Sequence, residues 1–400
     1  MDNRFTDRDS LSLSVTHKTH KYYDDHVNEL YNNVSIYYNF KEGTSTPGWL
    51  RYFNNYKSQD FEQFQHPYQR MQGVEYQNGW EIGRHKIIAG FEWHRNSATD
   101  KANGYEGAKV NNKAFYLQDT IRLGDKWILV PGLRWDHSDE FGTNWSPKIS
   151  TNYRADDKTK IYASWGHVYR TPSLAELYLV DDLTNYYGNK YVLANEGEDK
   201  LRAEKGHTET IGMEHNFDDN TAIAVNFFYS KISNAIWWTS IRLPFYDDAD
   251  ELSYYAFTHF PTNRDTQRRR GVEISFGQKI DDHFSYNLGY SHTKADSNTS
   301  SSHFMQPNGY RAGLHYKNRG LRVNLLGIMA SGRYDKESTS DTYFPSSRYA
   351  VFDLNVIYDI NPHAAVYFKA NNFTNQNYTN ASAYDCSPGR FFMDGATFRF

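Results

Sequence analysis

The sequence predicts an all-β fold, specifically an antiparallel transmembrane β-barrel, and three observations carry that reading. Segments of about ten residues alternate apolar and polar side chains, the period of an extended strand with two unlike faces. These segments are joined in turn by tight Asp/Asn/Gly turns and by longer polar connections, the end-to-end asymmetry of an outer-membrane barrel. Aromatic residues make up 17% of the 400 positions, with 33 Tyr, 25 Phe and 9 Trp, although all hydrophobic types together reach only 38%. Amphipathic rings without continuous apolar runs suit a wall with one greasy face, one wet face and aromatic girdles at both interfaces.

Taken in order, Leu11, Leu13 and Val15 alternate with Ser12, Ser14 and Thr16, and Val34, Ile36, Tyr38 and Phe40 keep the same rule. Ile87, Ala89, Phe91 and Trp93 follow, then Phe115 and Leu117, with Asp119 interrupting that face before Ile121 and Leu123. Asp218-Asp219-Asn220, Asp281-Asp282, Asn318-Arg319-Gly320 and Asn361-Pro362 read as hairpin turns, because these residues supply left-handed backbone or local side-chain hydrogen bonds. Longer loops are expected at 98–110, 178–205, 241–267, 296–306 and 332–347. The template gives roughly 18 to 20 strands.

The last stretch organises the whole. Phe392, Ala396, Phe398 and Phe400 fall on one face of an extended strand, and Gly395, Thr397 and Arg399 on the other. A terminal strand with such an aromatic face needs partners for its backbone and an apolar medium outside, and a closed membrane barrel supplies both. Asp394 shares the aromatic face and is expected near an interface, where a carboxylate costs less than at midplane.

Several function classes are excluded or left without support. No apolar run approaches the ~20 residues of a transmembrane helix. A formal net charge of −4 argues against a nucleic-acid partner. The single cysteine, Cys386, has no intrachain disulfide partner. No Ser-His-Asp or Cys-His set, phosphate loop or cofactor fingerprint stands in a persuasive context, so an enzyme is not expected.

Particular residue blocks carry a family resemblance. Tyr169-Arg170-Thr171-Pro172-Ser173-Leu174-Ala175-Glu176-Leu177-Tyr178, preceded by Trp145-Ser146-Pro147-Lys148, is followed by Leu201-Arg202-Ala203-Glu204-Lys205. Asn263 and Arg270-Gly271-Val272-Glu273 come next, then Asn371-Asn372-Phe373 to Tyr378, Pro388-Gly389-Arg390 and the terminal Phe400. In this order the blocks resemble the barrel of TonB-dependent outer-membrane receptors, over about residues 111–400, and Asn3 to Val15 resembles an early barrel strand. The resemblance implies a bacterial outer-membrane location and a barrel of about 22 strands. Residues 1–400 would then form one receptor-like barrel domain, N-terminally incomplete and without the family's plug domain. The polar start from Met1 to Asp7 lacks the features of a secretory signal, which makes a longer precursor the expectation.

The resemblance further implies uptake of a scarce nutrient chelate, such as a ferric siderophore or cobalamin, received by extracellular loops. Its implied partners are outer-membrane lipid, a TonB-type energy-transducing complex acting through the plug, and the barrel assembly machinery at the C-terminal strand. A passive porin-like channel, a non-functional truncated barrel and a soluble carbohydrate-binding β-protein are the alternatives. Candidate ligand-binding residues are Tyr186, Tyr187, Trp237, Trp238, Tyr246, Tyr254 and Tyr255, since rigid amphipathic rings suit large planar ligands; an interfacial girdle also fits Trp237 and Trp238. Asp247, Asp248 and Asp250 offer hard oxygens for calcium without the spacing of an EF-hand loop, and no other cofactor is expected. Arg268-Arg269-Arg270 reads as lumen wall or loop base.

Overall fold

The computed structural model describes residues 2–22, 27–61, 67–101, 105–178, 181–182, 192–193, 201–246, 252–297, 307–332, 334–336, 343–345, 348–376 and 389–398. The strands are β1 (Asp2–Thr6), β2 (Asp9–Tyr22), β3 (Val27–Phe40), β4 (Gly48–Phe61), β5 (Tyr68–Ile82), β6 (His85–Asp100), β7 (Tyr105–Leu123), β8 (Trp127–Ser138), β9 (Gly142–Arg154) and β10 (Thr159–Arg170). A short helix, α1 (Leu174–Tyr178), and the pair β11 (Asp181–Asp182) and β12 (Val192–Leu193) follow. Then come β13 (Glu204–Asn216), β14 (Thr221–Tyr246), β15 (Leu252–Lys279), β16 (Phe284–Ser297), β17 (Asn308–Asn318) and β18 (Leu321–Ser331). The pair β19 (Tyr334–Lys336) and β20 (Tyr343–Pro345) precedes β21 (Tyr349–Asn361), β22 (Ala364–Asn371) and β23 (Phe391–Phe398).

Nineteen of these strands form one antiparallel sheet in which each pairs with its neighbours along the chain, as the alternating pattern predicts. β1 and β23 are its edges, and among the described residues no ladder joins them. With 19 strands alternating in direction, β1 and β23 point the same way, so an antiparallel seam between them requires an odd number of intervening strands.

Register carries a single face around the sheet. Leu13 opposes Ile36, Ile36 opposes Tyr52, and Tyr76 opposes Phe91, which opposes Phe115. The same face continues through Leu117 and Leu133, Ile211 and Phe227, Ile274 and Tyr290, and Leu325 and Leu354. Leu117, Ile211 and Phe227 are 54%, 55% and 54% exposed. Apolar side chains this open, repeated on strand after strand, exceed any patch a soluble monomer tolerates and identify the lipid-facing surface. Among the described residues no helix is long and apolar enough to cross a membrane.

The turns are built as their residues require. Asp218 Oδ1 accepts from Asn220 N at 2.8 Å, and Asp281 Oδ1 accepts from His283 N and Phe284 N at 2.7 Å each. These backbone hydrogen bonds hold both exposed carboxyls below their usual pKa range. Arg319 and Gly320 have φ of 43° and 88°, the two left-handed residues of a type I′ hairpin that matches strand twist.

Three expectations change. The segment expected as a loop over 241–267 is mostly strand: β14 and β15 run to 26 and 28 residues and pair as far as Tyr246 and Leu252. A membrane crossing needs only about 9–11 residues, so this hairpin rises well above the lipid. Similarly, β6 and β7 extend to Asp100 and Tyr105 inside the expected 98–110 loop. Register places Arg268 and Arg270 on the outward face, opposite Lys231 and Tyr229, and only Arg269 towards the lumen. Asp394 opposes Phe368, which opposes Val356, two residues above Tyr358, so it lies on the outward face of β23 towards the short-turn end of the apolar band.

Asp119, which interrupts the apolar face, faces a gap in the β7–β8 ladder where Pro131 offers no N–H. Its carboxylate bonds His85 Nδ1 at 2.5 Å.

Candidate functional site

At the end bearing the longer connections, α1 folds into the mouth. Ser173 and Glu176 form a capping box: Glu176 N donates to Ser173 Oγ at 3.2 Å, and Ser173 N donates to Glu176 Oε2 at 2.7 Å. Each side chain satisfies a helix-start N–H that has no intrahelical partner. Leu174 and Tyr178 pack on the buried cluster of Ala98, Tyr105 and Ala108 from β6 and β7, which seats the helix against the inner wall.

Arg170, at the top of β10, reaches Glu176 at 3.0 Å and also pairs with Glu204 at the start of β13. Glu204 Oε1 accepts in turn from Ile236 N at 2.7 Å. Burial pushes Glu176 up, but hydrogen bonds from Arg170 and Ser173 N outweigh it and hold the carboxyl below the usual range. Pro172, between Arg170 and the helix start, is buried. The motif residues Arg170 and Glu176 therefore anchor the mouth helix.

Asn263 forms a second anchor. Its Oδ1 accepts from Arg202 N at 2.6 Å, while Nδ2 donates to Arg202 O at 2.9 Å and Asn234 O at 2.7 Å. Asn234 has φ 55° and interrupts the β14–β15 ladder, so one amide ties the returning chain to the base of the tall hairpin. Gly271 lies lower on that hairpin, opposite Phe228. A Cβ there would meet His292 O at 2.3 Å and the Phe228 ring at 2.5 Å, so only glycine admits the ring. Glu273 accepts from Asn226 Nδ2 at 3.2 Å.

At the end of β22, Asn371 opposes Phe391, and Asn372, 5% exposed, takes a φ of 45°. Asn372 Oδ1 accepts from Gln376 N at 2.9 Å, Nδ2 donates to Gln376 O at 2.9 Å, and Asn372 N donates to Asp353 Oδ1 at 2.7 Å. Arg390, after Gly389, donates its backbone N–H to Asn375 Oδ1 at 3.0 Å, and its guanidinium lies over Phe392. Pro388 and Phe400 lie outside the described residues.

Beside α1 opens a cavity of about 680 Å³, lined by Tyr31, Asn33, Asn55, Lys57, Gln69 and Asn96 from the wall and by Ser173 to Ala175. Its rim holds Glu29, which accepts from Lys57 Nζ at 3.0 Å, Gln59 Nε2 at 2.8 Å and Tyr31 OH at 2.9 Å. Deeper in the lumen, Arg134 forks onto both oxygens of Glu92 at 3.0 and 2.7 Å and reaches Asp136 at 2.8 Å. Glu75 bridges Arg51 at 3.4 Å and His94 at 2.9 Å. The arrangement is an inward surface of hydrogen-bonding groups and paired charges, and among the described residues it holds no nucleophile–base set. It is suited to holding a polar solute.

Of the aromatic candidates, Trp237, Trp238, Tyr246, Tyr254 and Tyr255 lie on the β14–β15 hairpin. In the ladder Trp237 pairs with Thr262, Trp238 with Pro261, Tyr254 with Phe245 and Tyr255 with Pro244, and Tyr246 pairs with Leu252 at the tip. Tyr186, Tyr187, Asp247, Asp248 and Asp250 lie outside the described residues. Among the described residues no group of three His, Cys, Asp or Glu side chains is placed to hold a metal. No motif marks the cavity lining in the sequence, although its Asn, Gln and Lys residues fall at the polar positions of period-two segments.

The family model for the TonB-dependent receptor-like β-barrel matches residues 1–373. The chain belongs to this family. As a TonB-dependent receptor barrel it resides in the bacterial outer membrane. It is 30% identical over 127 residues to a ferric enterobactin receptor of Pseudomonas aeruginosa, covering 31% of this chain and 17% of that protein. It is 24% identical over 202 residues to the vitamin B12 transporter BtuB of Photobacterium profundum, covering 50% and 28%. The crystal structure of the siderophore receptor PirA from Pseudomonas aeruginosa superposes with a TM-score of 0.78 at 14% identity, over 99% of this chain and 69% of that one. The sequence matches thus span less than a third of the length of either relative.

Proposed function

We propose that this chain is the wall and ligand-receiving mouth of an outer-membrane receptor that takes up a scarce nutrient as a small chelate, a ferric siderophore, cobalamin or a similar compound. The observation that carries the reading is the cavity of about 680 Å³ between the inner wall and α1, rimmed by Tyr, Asn, Gln and Lys side chains. Its size is that of a pocket for a drug-sized solute, and its donors suit the oxygens of a chelate. Relatives named for ferric enterobactin and vitamin B12 support the same substrate class. Transport would draw on an inner-membrane energy-transducing complex acting through a plug domain inside the barrel, and membrane insertion would proceed through the assembly machinery at β23.

The test is a tryptophan-fluorescence titration of the full chain in detergent with a ferric tricatecholate and, separately, cyanocobalamin. Saturable quenching by one chelate, weakened by Lys57→Glu, is the expected result. Unsaturable responses to both, together with a steady conductance in planar bilayers, would replace this reading with a passive channel.

A further inference from the structure

The wall beside α1 carries a row of carboxamides that have no partner within the protein. Asn33 on β3 opposes Asn55 on β4, Asn55 opposes Met71 on β5, and Met71 opposes Asn96 on β6. One level above, Gln69 opposes Lys57. These positions take the parity opposite to the outward residues Ile36, Tyr52, Tyr76 and Phe91, so all point into the lumen. Neighbouring strands lie about 4.8 Å apart, so the row from Asn33 to Asn96 crosses about 14 Å of wall. It lines the cavity of about 680 Å³, to which Ser173 to Ala175 of the capped helix also contribute.

The inward charge of this lining is paired, whereas its amides are not. Lys57 Nζ lies 3.0 Å from Glu29 Oε1 and 5.3 Å from the Tyr31 ring centroid, so the Lys57–Glu29 pair adds no net charge. Arg70 borders the cavity from the outward row, where its Nε donates to Asn54 Oδ1 at 2.6 Å. Among the described residues, the side chains of Asn33, Asn55, Gln69 and Asn96 form no hydrogen bond within the protein. Each keeps two N–H donors and a carbonyl acceptor for a solute.

Groups that both donate and accept match such a row. A carboxamide or a hydroxyl gives one hydrogen bond to a side-chain amide and takes another from it. A catecholate or carboxylate oxygen only accepts, so the amide carbonyls repel it, and among the described lining residues it meets no uncommitted inward cation. Sites for such anions rely on guanidinium forks or ammonium charges. Bringing several negative charges out of water against neutral dipoles alone is costly.

We infer that the mouth cavity selects an uncharged chelate with carboxamide or hydroxyl groups on its periphery, bound by Asn33, Asn55, Gln69 and Asn96, and discriminates against polyanionic chelates. This selectivity rests on the reading of the cavity as the ligand site, to which it adds the charge class. Isothermal titration calorimetry of the full chain in detergent tests it, with an uncharged ferric trihydroxamate, cyanocobalamin and a trianionic ferric tricatecholate as probes. One of the two uncharged probes is expected to bind at least about 10-fold tighter than the tricatecholate, with an affinity that does not change with salt. Asn55→Leu and Asn96→Leu should each weaken that probe about 5-fold. Glu29→Gln, which frees the Lys57 charge, should strengthen the tricatecholate about 5-fold; Asn55→Lys, which adds a cation directly, replaces it if Glu29→Gln does not fold. Tighter binding of the tricatecholate by the unmodified chain would overturn the inference and leave the receptor reading standing, whereas binding of none of the three would overturn both. Unaltered affinity for the uncharged probe in Asn55→Leu and Asn96→Leu, or no gain for the tricatecholate in the freed-charge variant, would also overturn it.

Discussion

Replacing Leu354 by arginine places a charge in hydrocarbon, whereas the same change at Asn355 does not. Leu354 opposes Leu325 on one side and Ala370 on the other, in the outward row; Asn355 opposes Asn324 and Lys369, in the inward row. Leu354 stands four residues above Tyr358 on β21, about 10 Å at ordinary strand rise and tilt, hence close to midplane. An arginine there costs about 2–4 kcal/mol, a shift of about 30- to 900-fold in the folding equilibrium. Inward, the guanidinium meets water and polar neighbours, and the cost should stay under about 1 kcal/mol. Equilibrium urea unfolding in phospholipid vesicles measures both, with heat-modifiable gel mobility reporting assembly. Equal destabilisation by Leu354→Arg and Asn355→Arg would refute the register, because neither face would then be distinguished by its solvent.

Other consequences follow from individual contacts. Gly271→Ala forces a methyl into His292 O and the Phe228 ring, and should cost about 1–3 kcal/mol by the same unfolding assay. Asn263→Ala removes three hydrogen bonds, each worth about 1 kcal/mol; hydrogen exchange should accelerate at Arg202 while the periplasmic turns stay protected. Glu176→Gln should loosen α1 by about 1 kcal/mol, read as faster proteolysis between Arg170 and Tyr178. The same helix should respond to acid. The Glu176 carboxyl is held below its unfolded value of about 4.3, so its contribution is fully present above that pH and is lost as pH falls through the lower folded value. Protease protection of α1 should therefore decline in that acidic window and stay constant from there to neutrality.

The wall was legible because it obeys a local rule. Period-two runs such as Leu11 to Val15 and Phe352 to Tyr358 need only a strand with two unlike solvents, and turns such as Asp218-Asp219-Asn220 and Arg319-Gly320 are fixed by their own residues. The tall β14–β15 hairpin was not legible, since above the lipid neither face must be apolar and the alternation fades. Composition then reads Ser253, Tyr254 and Tyr255 as loop. The anchors were visible only as motif residues: nothing local announces that Asn263 will bind Arg202 across the mouth, or that Glu204 will join Arg170 to Ile236. The lumen pairs escaped for a related reason. Glu92 and Arg134 are 42 residues apart, and only the β6–β7–β8 register brings them to one level.

The claim beneath all of this is that one sheet separates lipid from an aqueous lumen with strict alternation. Spin labels placed singly at each position from Ala350 to Tyr358, in the full chain reconstituted into phospholipid vesicles, test it directly by their collision rates with oxygen and with a water-soluble nickel chelate. Oxygen collisions should peak at Ala350, Phe352, Leu354, Val356 and Tyr358, and nickel collisions at Val351, Asp353, Asn355 and Ile357. Two profiles that rise and fall together, or that show no period of two, would contradict it.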